Sequence, residues 1–207
     1  LVGSEMGIRD SLFVAPVSGH YATLLRGTVE AFLPDHEVYI TDWMDARSVP
    51  VTDGRFDLDD FTTYVRAMLT ELGEDTHVVA VCQPGPPTLA AIALMAEDKD
   101  PARPLSMTFM GSPIDTRLSP TMPNKLAEEK PFAWFADNLI HTVTMPNAGA
   151  MRRVYPGFLQ LAGFVNMNLD RHVDAHKDYF ANLVKGCLLY PSDRAHDQTR
   201  VASSGRP

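Results

Sequence analysis

The sequence predicts an α/β protein built on a parallel sheet that is covered by helices on both faces. Short apolar runs alternate with longer amphipathic segments between residues 11 and 110. The apolar runs are nearly continuous, which is typical of parallel strands buried on both sides. The composition agrees with a soluble globular protein, because 45% of the 207 residues are hydrophobic and 21% are charged.

Four strands and three helices account for this first part of the chain. The strands are expected at residues 11–16, 37–41, 76–81 and 105–110. The helices are expected at residues 20–33, 58–72 and 88–96. The helix over 58–72 has the clearest ends, since acidic residues including Asp57 precede it and Gly73 follows it.

The remaining chain divides into a helical segment and a tail. Residues 1–118 are predicted to form the first half of the core, and residues 119–185 a helical insertion or lid without a convincing strand. Aromatic residues such as Trp134 and Phe135 cluster in this insertion, where they line a substrate pocket or fill the insertion's own core. Residues 186–207 are expected to be non-native or disordered, because Cys-Leu-Leu-Tyr matches one reading frame of a common transposon sequencing adapter.

Charge and cysteine usage restrict the classes of partner. The net charge of −8 argues against nucleic acid, whose binding proteins are basic. No segment approaches the roughly 20 apolar residues of a membrane span. Cys82 and Cys187 occupy such different settings that a disulfide is not expected, which favours a reducing, cytoplasmic compartment. The chain starts at Leu1 without a leader and is expected to be the interior of a longer protein.

The segment 78–85 is the sharpest local motif. A β-branched strand runs directly into Cys82, and a helix of small residues follows. This is the context of a nucleophile elbow, a turn that exposes a nucleophile at the carboxyl edge of a sheet. Ala80 has the small side chain that the turn requires, whereas Pro84 stands where glycine is usual. The following helix is expected to bring backbone N–H groups near the sulfur. Spacing alone leaves open the alternative of a buried structural cysteine.

The loops after the first two strands are candidates for the rest of the site. Gln83 is expected to supply one oxyanion N–H, and Ser18 or Gly19 the second. A helix cap at Ser18 is the structural alternative. His20 and Asp42 are candidates for the substrate pocket.

Trp43 is a further pocket candidate, although a structural role is favoured for it. Asp115 follows the fourth strand and is a conceivable acid, with a turn aspartate as the favoured alternative. His172 and His176 would share a helix face but lack a third ligand. Neither a metal nor another cofactor is therefore expected.

Several segments together closely resemble the intracellular polyhydroxyalkanoate (polyhydroxybutyrate) depolymerases of bacteria. The resemblance covers residues 11–185 and is carried by residues 14–30, 36–47, 54–60, 81–84 and 110–116. It implies an α/β-hydrolase fold with a thiol nucleophile where most hydrolases use serine. The role of acyl carrier falls to the Cys of the Val-Cys-Gln-Pro motif, which is Cys82.

The resemblance also implies a substrate and a location. The substrate would be amorphous storage polyester, attacked at the surface of cytoplasmic granules. The family's acid and histidine base have no match among the residues present and are expected beyond the C-terminus, so this chain alone is expected to be inactive and its sheet incomplete. The sequence is compatible with a homo-oligomer as well as with a monomer.

Two alternative functions remain at this point. One is a Cys-dependent acyltransferase or polyester synthase, whose elbows typically have glycines after the Cys, unlike Gln83 and Pro84 here. The other is a non-catalytic granule-associated protein that uses its aromatic helical face.

Overall fold

The computed structural model describes residues 9–17, 25–118, 120–167 and 169–184. Its contacts divide the chain into two compact units, residues 1–157 and 158–207. This division lies further along the chain than the boundary at 118/119 that the sequence analysis expects between core and insertion.

The first unit contains a four-stranded parallel sheet in the order β2-β1-β3-β4. Its strands are β1 (Arg9–Val14), β2 (His36–Ile40), β3 (His77–Val81) and β4 (Ser106–Met110). The α/β class and the parallel sheet are thus confirmed. The strand order agrees with an α/β-hydrolase sheet but does not identify one, because flavodoxin-like sheets share the order 2-1-3-4.

Helices cover both faces of the sheet. One face packs against α2 (Leu58–Leu72) and α3 (Gly85–Glu97). That core contains Leu12, Val14, Phe61, Val65, Leu69, Val78, Ala80, Ala91, Ile92 and Met95. Phe13 points to the other face, because side chains alternate along a strand. There it meets Phe32 of α1 (Arg26–Phe32) edge to face, at 5.1 Å between ring centroids.

The ends of α2 follow from residues next to them in the sequence. The Asp57 carboxylate accepts hydrogen bonds from the backbone N–H groups of Asp59 and Asp60, and Asp60 accepts one from the N–H of Asp57. These bonds form a capping box, and the bond from the Asp60 N–H contributes most to lowering the pKa of Asp57. Gly73 ends the helix at φ 82°, so the bounds predicted for this helix are confirmed.

The other two predicted helices differ from their expected bounds. In the described chain α1 begins at Arg26, and residues 20–24 of the helix predicted over 20–33 lie outside the described residues. The third helix begins at Gly85 rather than at residue 88. Pro86 and Pro87 belong to its first turn, where proline is tolerated because the first N–H groups have no helical partner.

The segment after β4 is mainly helical, as expected, but it also contains two short strands. The helices are α4 (Met122–Glu129), α5 (Phe132–Asn138), α6 (Gly157–Asn166) and α7 (Leu169–Val184). An antiparallel hairpin joins β5 (His141–Thr142) to β6 (Arg153–Val154). The expectation of no strand between residues 120 and 180 was therefore wrong, because two-residue strands are too short to show an alternating pattern.

Contacts with the loop after β2 hold this hairpin in place. The Gly149 N–H donates to the Arg47 carbonyl at 2.8 Å. The Arg152 guanidinium donates to the Val49 carbonyl at 2.6 Å and also to the Pro50 carbonyl. A Cβ atom on Gly149 would lie 2.3 Å from the carbonyl oxygen of Ala46, so only glycine permits this approach. We refer to residues 141–154 as the docked hairpin.

Strand β4 forms one edge of the sheet within the described residues. The side chains of Met107 and Met110 are exposed along this edge. Phe109 packs against the core. None of the described helices has the length and apolar character needed to cross a membrane.

Candidate active site

The order of the strands determines where a site can form. The chain passes from β1 to β2 on one side and then returns to β3 on the other side of β1. A crevice opens between two such strands at their carboxyl ends, and open parallel sheets bind ligands there. Residues 15–17 follow β1 and residues 82–84 follow β3, so both segments border this crevice.

Cys82 occupies a sharp turn between β3 and α3. Its φ of 66° lies in the left-handed region, which is uncommon for a residue other than glycine. The Cys82 N–H donates to the Met110 carbonyl at 2.8 Å, and its carbonyl accepts from the Gly85 N–H at 3.2 Å. The residue is half-buried. These contacts produce the strand–turn–helix context that the sequence predicts, while the role of the thiol stays a prediction.

The residues on either side of Cys82 explain how the turn tolerates a proline. Ala80 is fully buried and leaves room for the turn. Pro84 is also buried, and its φ of −64° is the value that the proline ring imposes. The proline therefore fits where the motif usually has glycine.

The prolines also reduce the number of donors at the start of α3. Among residues 83–87, Pro84, Pro86 and Pro87 carry no N–H. The Gly85 N–H already donates to the Cys82 carbonyl. Gln83 and Gly85 are thus the two residues of this stretch that carry an N–H. The start of α3 therefore has fewer N–H groups than the sequence analysis expects near the sulfur.

The second predicted donor lies in the loop after β1. Ser18 and Gly19, together with the pocket candidate His20, are outside the described residues, as is Cys187. The structure does show what holds the beginning of that loop. The Ala15 N–H donates to the Thr41 hydroxyl at 2.9 Å, and the Ala15 carbonyl accepts from the Trp43 indole at 2.8 Å. Both backbone groups of Ala15 are occupied, so the Ala15 N–H is not available as that predicted donor.

The two pocket candidates after β2 differ in setting. Trp43 packs against Phe61 at 4.6 Å and Phe56 at 5.9 Å between ring centroids, in addition to its bond with Ala15. These contacts agree with the structural role that the sequence analysis favours for it. Asp42 is exposed. Thr41, which the sequence analysis missed, has no motif of its own and is recognisable only from its contact with β1.

Asp115 behaves as a turn residue. Its carboxylate accepts from the Arg117 guanidinium through both oxygens at 2.8 Å and from the Arg117 N–H at 3.1 Å. The guanidinium is the main reason why the pKa of Asp115 lies below its usual range. The favoured turn-aspartate interpretation fits these contacts, since both oxygens of the carboxylate are engaged.

The two histidines of the parallel sheet are hydrogen-bonded to serine side chains, His36 to Ser11 at 2.8 Å and His77 to Ser106 at 2.7 Å. His36 and His77 are the first residues of β2 and β3, whereas Cys82 follows the last residue of β3, so these histidines and Cys82 lie at opposite ends of the strands. His141 and His176 are exposed and His172 is half-buried, and the described residues contain no group of three metal-ligating side chains.

The aromatic residues of α5 separate into a half-buried pair and an exposed ring. Trp134 and Phe135 meet edge to face at 5.2 Å between ring centroids, and the Lys130 ammonium lies 5.9 Å from the Trp134 ring. Phe132, which begins the same helix, is 78% exposed. Phe132 thus offers more apolar surface to a partner than the two residues that the sequence analysis singled out.

Comparison with known protein families finds a match in the second half of the chain. Residues 111–197 match the family described as PHB de-polymerase C-terminus. The match begins immediately after β4 and extends into residues 186–197 of the tail, which lie outside the described residues. No curated protein and no solved structure matches the chain. Residues 111–197 are therefore similar to the C-terminal region of PHB depolymerases.

Proposed function

We propose that this protein is an intracellular polyhydroxyalkanoate depolymerase that cleaves storage polyester through an acyl-enzyme on Cys82. The observation that carries the proposal is the left-handed conformation of Cys82. This residue lies in a strand–turn–helix that borders the crevice between β1 and β3. A residue in this conformation presents its side chain to the crevice while its backbone remains bonded to the sheet. The family match supports polyester as the substrate.

The chemistry divides into two acyl transfers. The Cys82 thiolate attacks the carbonyl carbon of an ester in the 3-hydroxyalkanoate chain, forming a C–S bond. The C–O bond then breaks, and the leaving alkoxide takes up a proton. Water attacks the resulting thioester, releases a carboxylic acid and restores the thiol. A general base and a general acid have to move these protons.

The negative oxygen formed at each attack needs two hydrogen-bond donors. The Gln83 N–H is the donor proposed from the elbow, because Gln83 directly follows the proposed nucleophile in the chain. The second is proposed from Ser18 or Gly19, further along the loop whose origin Thr41 and Trp43 hold. His20, Asp42 and Trp43 remain the proposed pocket residues of the two loops, and the helical segment is the proposed lid.

Two other functions compete with hydrolysis. A Cys-dependent acyltransferase would form the same thioester but pass the acyl group to an alcohol rather than to water. A granule-associated protein without catalysis would not need the thiol at all. The PHB depolymerase match favours hydrolysis over both.

We propose that granule binding uses the exposed Phe132 in addition to Trp134 and Phe135. Amorphous polyester is an apolar surface without charge, so exposed aromatic side chains are suited to it. Replacing Phe132 by alanine should weaken binding to amorphous granules by about threefold to tenfold, as expected for part of a buried phenyl group. Hydrolysis of a small soluble ester should be unchanged.

The control for this measurement is Leu105→Ala, which removes an exposed apolar side chain directly before the start of β4. It should affect neither property. Equal weakening by Phe132→Ala and Leu105→Ala would show that α5 has no special role in binding.

The function itself is tested by blocking the thiol. The intact protein carrying Cys187→Ser has Cys82 as its one cysteine among residues 1–207. Iodoacetamide should stop the release of 3-hydroxybutyrate from amorphous granules in proportion to the fraction of Cys82 alkylated. Full activity after complete alkylation would reject the acyl-enzyme. Polymer elongation from a coenzyme A thioester would instead support the acyltransferase.

A further inference from the structure

Gly85 and Ser112 are in close contact directly behind the Cys82 turn. A Cβ atom on Gly85 would lie 2.3 Å from the Cβ and 2.5 Å from the Oγ of Ser112. Both distances are far below van der Waals contact. The space that a side chain at position 85 would need is therefore occupied by Ser112.

Ser112 is itself fixed to the sheet. It follows Gly111, whose φ of 60° turns the chain out of β4. Its hydroxyl donates to the Ala80 carbonyl in β3 at 3.3 Å. Ser112 is thus held against the strand that leads into Cys82 while it touches the helix that leads away from it.

Met110, the last residue of β4, and Ser112, just after it, therefore contact the Cys82 turn at its two ends. The Met110 carbonyl accepts from the Cys82 N–H at 2.8 Å, on the strand side. On the helix side Ser112 limits the approach of Gly85, whose N–H closes the turn on the Cys82 carbonyl at 3.2 Å. A shift of Gly85 would change that hydrogen bond and move the thiol with it.

We infer that Ser112 is a positioning residue for the Cys82 thiol, and that it acts through the backbone of Gly85. The inference rests on the proposed role of Cys82 and adds a second residue to that site. It makes positions 85 and 112 a pair matched in size, in which a larger residue at one requires a smaller residue at the other.

The test is a double-mutant cycle in the intact protein carrying Cys187→Ser. The variants are Gly85→Ala, Ser112→Gly and the two combined. The combined change removes the Cβ and Oγ atoms of Ser112. The new methyl group would then lie 3.2 Å from Cδ1 of Ile114, which is at the end of a flexible side chain. The alkylation rate of Cys82 across neutral pH, kcat and KM for a soluble ester, and the melting temperature are measured for each.

Gly85→Ala should slow alkylation and lower kcat by about tenfold to a hundredfold, as displacement of a reacting group does, with KM little changed. Ser112→Gly alone removes the contact that limits Gly85 and should slow alkylation by about threefold to tenfold, and the combined variant should recover most of the loss caused by Gly85→Ala. A combined variant as slow as Gly85→Ala would overturn the inference. So would an unaffected Gly85→Ala variant.

Two further variants keep the test decisive if Gly85→Ala does not fold. Recovery of soluble, reactive protein in the combined variant would then support the pair, and its absence would count against it. Ser112→Thr adds a methyl group beside Gly85 and should slow alkylation, whereas Ser112→Ala should not. The alkylation rate does not depend on hydrolysis, so the inference can fail while the depolymerase proposal stands, and the reverse.

Discussion

Replacing Cys82 by alanine should reduce hydrolysis of amorphous polyester by about four orders of magnitude or more, because removing a nucleophile leaves only binding and oxyanion contacts. The melting temperature should change little, since the half-buried thiol makes no packing contact that the core requires. Release of 3-hydroxybutyrate from granules measures the first effect, and thermal unfolding followed by circular dichroism measures the second.

Cys82→Ser and Cys187→Ser serve as controls for this prediction. Cys82→Ser should retain some activity, because a hydroxyl would occupy the same turn but is a poorer nucleophile near neutral pH. Cys187→Ser should be fully active. A Cys82→Ala variant that hydrolyses polyester at the parent rate would exclude the thiol from the reaction and favour a non-catalytic role for the turn.

Leu69→Ala should lower the free energy of unfolding by about 2–5 kcal/mol, the range for deleting a fully buried leucine side chain. Leu69 belongs to α2, has no exposed surface and packs in the core between this helix and the sheet. The cavity left by the substitution cannot collapse easily, because the strands next to it are joined by hydrogen bonds. Urea unfolding monitored by tryptophan fluorescence measures the loss.

Leu58→Ala is the matched control, because it makes the same change in the same helix at a side chain that is 65% exposed. It should alter the free energy of unfolding by about 0.5 kcal/mol or less. Similar losses for the two variants would show that α2 does not pack against the sheet as described.

Local chemistry explains which parts of the fold could be predicted from the sequence. The bounds of α2 were predicted because its cap at Asp57 and its stop at Gly73 are adjacent to the helix. The strand–turn–helix around Cys82 was predictable for the same reason, since β-branched residues precede it and small ones follow. These features depend on neighbours in the chain, which a sequence displays directly.

Features that depend on distant contacts could not be predicted. Ser112 meets Gly85 and Ala80 only after β3 and β4 have paired. Thr41 shows no motif until its hydroxyl is placed beside β1. The aromatic cluster of α5 was visible in the sequence, but the difference in exposure between Phe132 and Trp134 follows from tertiary packing.

The docked hairpin also bears on the order in which the protein folds. Arg152 and Val49 are 103 residues apart in the chain, so their contact closes a very long loop. Closing such a loop costs chain entropy before any contact compensates for it, and contacts of this kind form slowly. The loop after β2 therefore reaches its final conformation only after the hairpin has been synthesised and has docked, even though β2 itself can pair with β1 much earlier.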